Sequence, residues 1–247
     1  MPPTGSQDRP DFPFYDNRPI GLSGPQWLLV LAGVALAFWL LVAPWTRPAP
    51  AWGMWIPALL FCTVPLAALA VVAGRHWTAL FHRLRGRDLL LMVGIAALNL
   101  VITLLIGLLM NGLDHGSANP AFKSIAEADT ATRVMAFAAM VPQLLGEELL
   151  TILPLLALLW WLHTRMKLRK RTAVVLAWLL SAIPFALAHL PTYQWDLVQC
   201  LAIIGSARLV LSLAYLFSRN LWVSTGAHVL NDWTLFGISL ILVSLPH

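Results

Sequence analysis

Long apolar runs, separated by short stretches that contain charges, prolines or glycines, recur along the whole chain. Each run is long enough to cross a hydrocarbon core of about 30 Å at about 1.5 Å per helical residue. The predicted fold class is therefore all-α, a polytopic transmembrane helix bundle of about seven to eight spans. Seven spans are predicted near residues 25–44, 54–73, 88–112, 133–162, 172–190, 196–217 and 221–245.

Composition excludes several other protein classes. Of the 247 residues, 59% are apolar and only 11% are charged, against roughly 25% charged residues in soluble domains. Soluble domains, coiled coils and disordered chains are thus excluded. Cys62 and Cys200 lie in or beside apolar runs without CxxC or Cys/His spacing, which excludes a disulfide framework or zinc ribbon. The net charge of +5 does not indicate nucleic-acid binding, because the basic residues gather in alternate loops.

The distribution of basic residues predicts the orientation of the chain. Twelve of the 16 lie before the first span or after the second, fourth and sixth, namely Arg9, Arg18, Arg75, Arg83, Arg85, Arg87, Arg165, Lys167, Arg169, Lys170, Arg171 and Arg219. The opposite loops hold Arg47, Lys123 and little else. We therefore expect a multi-pass protein of the inner (plasma) membrane with a cytoplasmic amino terminus. Residues 1–24 are predicted to be a cytoplasmic polar leader, and 25–247 a single transmembrane domain.

Polar and ionisable residues inside the predicted spans are few, and those we identify all fall in the second half of the chain. Charged groups there cost about 2.5 to 3.5 kcal/mol each on insertion scales, so they mark candidate functional sites. The candidates are Gln143, Glu147, Glu148, His189, Arg208, His228, Asn231 and Asp232.

Helical periodicity separates the two adjacent glutamates. Gln143, Glu147 and Thr151 fall in one i, i+4 row, with Gly146 beside them. Glu148 lies about 100 degrees further around the helix. We therefore predict that Glu147 is the indispensable carboxylate.

The two histidines extend this pattern to later spans. His228 shares a helix face with Asn231 and Asp232. His189 follows Phe185 by one turn. Taken alone, each residue is also compatible with hydrogen bonds that only join helices. Two adjacent carboxylates, two histidines and a third carboxylate or carboxamide on three spans are more typical of a catalytic or ion-handling site.

Motifs of other intramembrane proteases do not occur in the sequence. HExxH of zinc proteases, GxSxG of rhomboid-type serine proteases and GxGD of presenilin-type aspartyl proteases are all missing. What remains is a glutamate with two histidines. The motifs in this chain are Glu147-Glu148, Phe185 to His189, and His228 to Asp232.

These motifs resemble EExxxR, FxxxH and HxxxN or HxxxD of the CPBP (Abi) family, the type II CAAX prenyl proteases and their bacterial relatives. The resemblance covers about residues 140–235, within a family-like core at about 131–245. It implies an intramembrane endopeptidase that acts on a membrane-associated protein or lipidated peptide. No nucleic acid, metal or other cofactor is implied, and the lipid bilayer is the expected surrounding.

The resemblance also implies roles for individual residues. Glu147 is the base that activates a water, with His189 as its partner. His228 and Asp232 stabilise the oxyanion, and Asn231 is an alternative donor for this purpose.

Two features depart from the family pattern, and one is that Asp232 donates to an oxyanion only when it is protonated. Ile152 stands where EExxxR has its arginine, which would pair with Glu148 one turn back. We hypothesise that Arg208 reaches Glu148 from the sixth span, the alternative being that Arg208 extends toward a lipid headgroup or caps a helix break. The departure leaves open an acyl- or lipid-transfer role in lipoprotein modification and a non-catalytic role as a membrane partner or immunity protein.

The depths predicted for the two histidines in the membrane argue against a shared site. Counted from the inner helix ends, His189 lies about 25 Å deep and His228 about 12 Å deep if every helix starts at its loop. Two side chains at such different depths do not share a site. The conflict eases if the fifth span projects into the cytoplasm or kinks at Pro184.

Overall fold

The protein is built from helices joined by short loops. The computed structural model describes residues 11–46, 51–113 and 115–244, apart from the side chains of residues 45, 51, 52, 243 and 244. The α-helices of the described residues are α1 (Gly24–Val42), α2 (Trp55–Ala73), α3 (Gly86–Asn111), α4 (Pro120–Glu127), α5 (Thr130–Trp160), α6 (Lys170–Ala188), α7 (Leu197–Gln199), α8 (Ser206–Ser218) and α9 (Leu221–Ser244). Two π-helical segments extend α5 and join α7 to α8, namely Trp161–Arg165 and Cys200–Gly205.

Among the described residues, six helices are long and apolar enough to cross a membrane. They are Gly24–Val42, Trp55–Leu80, Gly86–Asn111, Thr130–Arg165, Lys170–Ala188 and Leu197–Ser218. The seventh predicted span forms the 24-residue helix α9, which carries the polar residues of the predicted site. The predicted all-α membrane bundle is confirmed, with roughly the expected number of spans.

Helix α5 is the central element of the bundle and packs against α1, α2, α6, α8 and α9. Its start is fixed by Asp129, whose side chain accepts a hydrogen bond from the amide of Thr132 at 3.0 Å. At Gly146, α5 approaches α2 so closely that an added Cβ would lie 2.4 Å from Cδ1 of Phe61. The side chains of α5 that form the core are fully buried, including Leu149, Ile152, Leu153 and Leu156. Apolar packing therefore fixes the position of the helix that carries both glutamates.

The chain before α1 packs against one end of the bundle, and we call residues 11–22 the N-terminal strap. Its aromatic side chains are buried in the core, namely Phe12, Phe14 and Tyr15. The hydroxyl of Thr164 donates to the carbonyl of Tyr15 at 2.8 Å, and Lys170 pairs with Asp11. The described part of the predicted leader is thus tied to the loop between α5 and α6. The boundary between a leader and a single domain stays a prediction.

The predicted orientation depends on basic loops, which the structure describes in part. Arg9 and Arg47 lie outside the described residues. Arg83 and Arg85 precede α3, as expected for a loop beside a span. The cytoplasmic location of the amino terminus stays a prediction.

Candidate active site

The two adjacent glutamates of α5 have different surroundings. The side chain of Glu147 is 14% exposed, and its Oε1 accepts a hydrogen bond from Nε2 of Gln143 at 3.3 Å. The side chain of Glu148 is fully buried. The helical row predicted for Gln143 and Glu147 is present, and it gives Glu147 the accessible side of the helix.

His228 lies between the two glutamates. Its Nδ1 is 2.9 Å from Oε1 of Glu148, within hydrogen-bond distance. Because an ionised carboxylate only accepts hydrogen bonds, we assign the proton of this contact to Nδ1. On the other edge of the ring, Nε2 lies 3.8 Å from Oε2 of Glu147 and 3.7 Å from Oδ1 of Asp232. These separations are too long for direct hydrogen bonds, but a single oxygen atom can bridge them.

Asp232 and Asn231 continue the site along α9. Nδ2 of Asn231 donates to Oδ1 of Asp232 at 2.9 Å, and the side chain of Asp232 is 24% exposed. Nδ2 of Asn99, on α3, donates to Oδ1 of Asn231, also at 2.9 Å. The carbonyl oxygen and the amide nitrogen of the Asn231 side chain therefore both form hydrogen bonds.

Asn99 corrects our expectation that the polar residues of the spans all lie in the second half of the chain. It belongs to the third predicted span and is only 1% exposed. The one sequence signal for it was a carboxamide in the middle of an otherwise apolar run. Its partner, Asn231, is 132 residues away, so periodicity within one helix could not reveal the contact.

His189 follows the last residue of α6. Its Nδ1 donates to the carbonyl oxygen of Phe185 at 2.8 Å, and the two rings lie 4.8 Å apart. Its imidazole also interacts electrostatically with Asp232. Among the described residues, His189 forms no hydrogen bond or ion pair with Glu147, its implied partner. Asp232 thus interacts electrostatically with both histidines, which eases the expected depth conflict.

Tyr193, in the turn after α6, was not among the predicted site residues. Burial raises the pKa of its hydroxyl to about 12. A hydrogen bond with Asn119 partly opposes this increase. The negative charges of Asp232 and Glu147 also raise this pKa, so these carboxylates act electrostatically on the tyrosine. Its position four residues after His189 is the only sequence signal that could have identified it.

Arg208, on α8, is fully buried and reaches the site from the opposite side of Glu148. Its Nη1 donates to Oε1 of Glu148 at 2.7 Å. The hypothesis that Arg208 pairs with Glu148 is therefore confirmed, and the alternative of a contact with a lipid headgroup is wrong. The Nε and Nη2 atoms of Arg208 have no hydrogen-bond partner among the described residues.

The cluster as a whole combines three carboxylates with two histidines and one arginine. Within the part of the chain that the structure describes, no three His, Cys, Asp or Glu side chains are grouped so that they could hold a metal ion. Glu147 and Asp232 are the carboxylates that remain partly accessible. The arrangement is suited to moving protons to and from a water held between Glu147, Asp232 and His228.

Comparison with known proteins identifies the segment that carries this cluster. Residues 129–234 match the family model described as type II CAAX prenyl endopeptidase Rce1-like. No curated protein and no solved structure matches the chain. The matched residues run from the start of α5 into α9 and include the three motifs on which the resemblance rests. Residues 129–234 are thus similar to the Rce1-like type II CAAX prenyl endopeptidases.

Proposed function

We propose that the protein is an intramembrane endopeptidase that hydrolyses a peptide bond of a membrane-associated protein or lipidated peptide. The family match supports a CAAX-type endopeptidase. The observation that carries the proposal is the contrast between the two glutamates: Glu147 is accessible and 3.8 Å from Nε2 of His228, whereas Glu148 is buried against Arg208. We place the protein in the plasma membrane with a cytoplasmic amino terminus, because the basic loops favour that orientation.

Glu147 is the proposed general base. Gln143 holds its Oε1, which leaves Oε2 directed toward His228. A water between Oε2 and Nε2 loses a proton to Glu147 while its oxygen attacks the substrate carbonyl carbon. The C–N bond then breaks, and Glu147 returns the proton to the leaving amine. This sequence uses one water and needs no metal.

His228 is the proposed stabiliser of the oxyanion. Its Nδ1–H bond to Glu148 fixes the ring, so that a second proton on Nε2 points into the space beside Glu147. A donor fixed in advance at the position where negative charge develops lowers the barrier most effectively. Asp232 is the proposed partner that favours the protonated ring, and Asn231 holds Asp232 in place.

His189 is the proposed second group that positions the water. Its Nδ1 is occupied by the carbonyl oxygen of Phe185, which leaves Nε2 for water or substrate on the side of Asp232. A backbone partner of this kind fixes the tautomer of the ring.

Purified protein in liposomes, incubated with a prenylated CAAX peptide, tests the proposed function. We expect cleavage that mass spectrometry detects, that persists with a chelator, and that Glu147→Gln abolishes. A comparison of membrane peptides from cells with and without the protein extends the test to other substrates. Unchanged peptide profiles in cells, together with an intact prenylated peptide in liposomes, would contradict the proposal.

A further inference from the structure

We infer that Arg208 is a positioning residue that holds both histidines of the site in place, and that it supplies from α8 the arginine that the family motif has at the position of Ile152. This inference rests on the proposed function, which it deepens. Arg208 contacts the two residues that orient His228 and His189.

The first connection leads from Arg208 to His228 through one oxygen atom. Nη1 of Arg208 lies 2.7 Å from Oε1 of Glu148, and Nδ1 of His228 lies 2.9 Å from the same oxygen. Oε2 of Glu148 has no hydrogen-bond partner among the described residues. The position of this single oxygen, fixed by the guanidinium, therefore determines which tautomer and orientation His228 adopts.

The second connection leads from Arg208 to His189 through an aromatic ring. The guanidinium carbon lies 5.1 Å from the centroid of the Phe185 ring, which is within the range of a cation–π contact. Phe185 in turn stacks on His189 and accepts its Nδ1–H bond through the backbone carbonyl. One side chain on α8 thus contacts the residues that orient the histidines of α6 and α9.

Stability alone does not account for this arginine. Arg208 is fully buried, and two of its nitrogen atoms have no partner among the described residues. Replacement of a buried ion pair by apolar residues of similar volume is often neutral or stabilising, whereas removal of one partner leaves an unpaired buried charge. Retention of an incompletely paired guanidinium beside the site is better explained by the geometry that it imposes on its neighbours.

The family pattern suggests a relocation experiment. Ile152 lies four residues after Glu148 on α5, so an arginine there would reach the same carboxylate from one turn away. Ile152→Arg combined with Arg208→Leu moves the charge to α5 and vacates the space that the original side chain occupies. The relocated arginine restores the partner of Glu148 but not the contact from α8 to Phe185.

Four variants in detergent micelles separate the possibilities. They are Arg208→Leu, the Arg208→Leu/Glu148→Leu pair, the relocation variant, and Arg133→Leu as the control. Arg133 is an arginine of α5 that binds the backbone carbonyls of Ile125 and Ala126. We expect Arg208→Leu to reduce the yield of folded protein and the double leucine variant to recover part of it. The control removes an arginine outside the site, and the protein that folds should keep its specific activity.

Nitrogen-15 NMR of the histidine rings, assigned with His→Gln variants, measures positioning without an activity assay. We expect the double leucine variant to change the ring-nitrogen signals of both His228 and His189. The relocation variant should restore those of His228 only. In the cleavage assay, kcat of the double variant should fall by about 100-fold with little change in KM, the size expected for misplaced groups.

The possible results decide between positioning and a purely structural role. Unchanged histidine signals and unchanged kcat in a folded double leucine variant would overturn the inference. The double leucine variant could change the ring-nitrogen signals of both histidines while even the wild type shows no peptidase activity. That result would support the inference and reject the proposed function.

Discussion

The two sides of α5 differ in how closely they pack. Toward α2, Gly146 leaves no room for a single extra carbon atom beside Phe61. Toward α9, Glu147 and Asp232 lie 3.8 and 3.7 Å from Nε2 of His228, too far for direct hydrogen bonds but within reach of one bridging water. The comparison teaches that the apolar side holds the backbone in position, and that this rigidity keeps the ionisable groups of the polar side just outside direct hydrogen-bond distance where the chemistry is proposed to occur.

Glu147→Gln tests the open side and should have the largest effect. It keeps the shape of the side chain but removes the proposed base, so we expect cleavage to fall by at least about 100-fold. The amount of folded protein should stay unchanged, because Glu147 is partly exposed and is not held by Arg208. Cleavage of a prenylated peptide and protein yield are the measurements.

Glu127→Gln is the matched control, since Glu127 is an exposed carboxylate on α4 that pairs only weakly with Lys123. It should leave cleavage intact. Glu148→Gln should lower the folded yield more than Glu147→Gln does, because it leaves Arg208 without its partner. Greater loss of specific activity at position 148 than at position 147, with equal yields, would reverse our assignment.

Gly146→Ala tests the closely packed side. The new Cβ would lie 2.4 Å from Cδ1 and 3.0 Å from the backbone carbonyl carbon of Phe61, and the backbone cannot yield easily. We expect a loss of about 1 to 3 kcal/mol in the free energy of unfolding. Thermal or denaturant unfolding in detergent measures this change.

Gly94→Ala provides the control for helix propensity. No atom lies within 4 Å of a Cβ added at Gly94, so alanine there should raise the stability of α3 by up to about 1 kcal/mol. Equal effects at Gly94 and Gly146 would show that the contact with Phe61 does not constrain α5.

Asn99→Leu tests whether α3 supports the polar side. The substitution removes the donor that holds Oδ1 of Asn231 and should cost about 1 kcal/mol of stability. Asn111→Leu is the control, since Asn111 is exposed at the end of α3. Equal stability changes in the two variants would mean that the contact between Asn99 and Asn231 contributes nothing.

Tyr193→Phe should have the smallest effect at neutral pH. The pKa of Tyr193 is raised to about 12 in the folded state from 10.0 in the unfolded chain, so its stabilising contribution is complete below pH 10. As pH rises toward 12, the unfolded chain releases the proton first, and the protein loses stability at up to about 1 kcal/mol per pH unit.

In Tyr193→Phe this loss should be absent, so the difference in stability between the variant and the wild type should change only above pH 10. Unfolding free energies measured between pH 8 and pH 12 check the prediction. Parallel pH curves for the two proteins would mean that the folded protein does not raise the pKa of Tyr193.

Features that depend on residues close in sequence were predictable. The helical repeat alone places Gln143 and Glu147 in one row and separates Glu148 from that row. The pairing of Arg208 with Glu148 was also predictable in outline, because a lone buried guanidinium requires a partner and Glu148 lacks the arginine of the family motif.

Features that depend on the packing of distant helices were not predictable. Asn99 and Tyr193 carry no motif, and each joins the site only because of where α3 and the turn after α6 are placed. The conflict between the counted depths of His189 and His228 arose for a related reason. Counting residues from a loop gives distance along one helix, but not how far that helix is shifted against its neighbour.

The N-terminal strap has a consequence for the biosynthesis of the protein. The ring of Phe12 packs 6.3 Å from that of Tyr215 and against the guanidinium of Arg219, near the start of the last helix. At about 5 to 20 residues per second, the roughly 200 residues between these partners take about 10 to 40 s to synthesise. Phe12 thus leaves the ribosome well before Tyr215 and Arg219, and it cannot reach this packing surface until α8 has been synthesised.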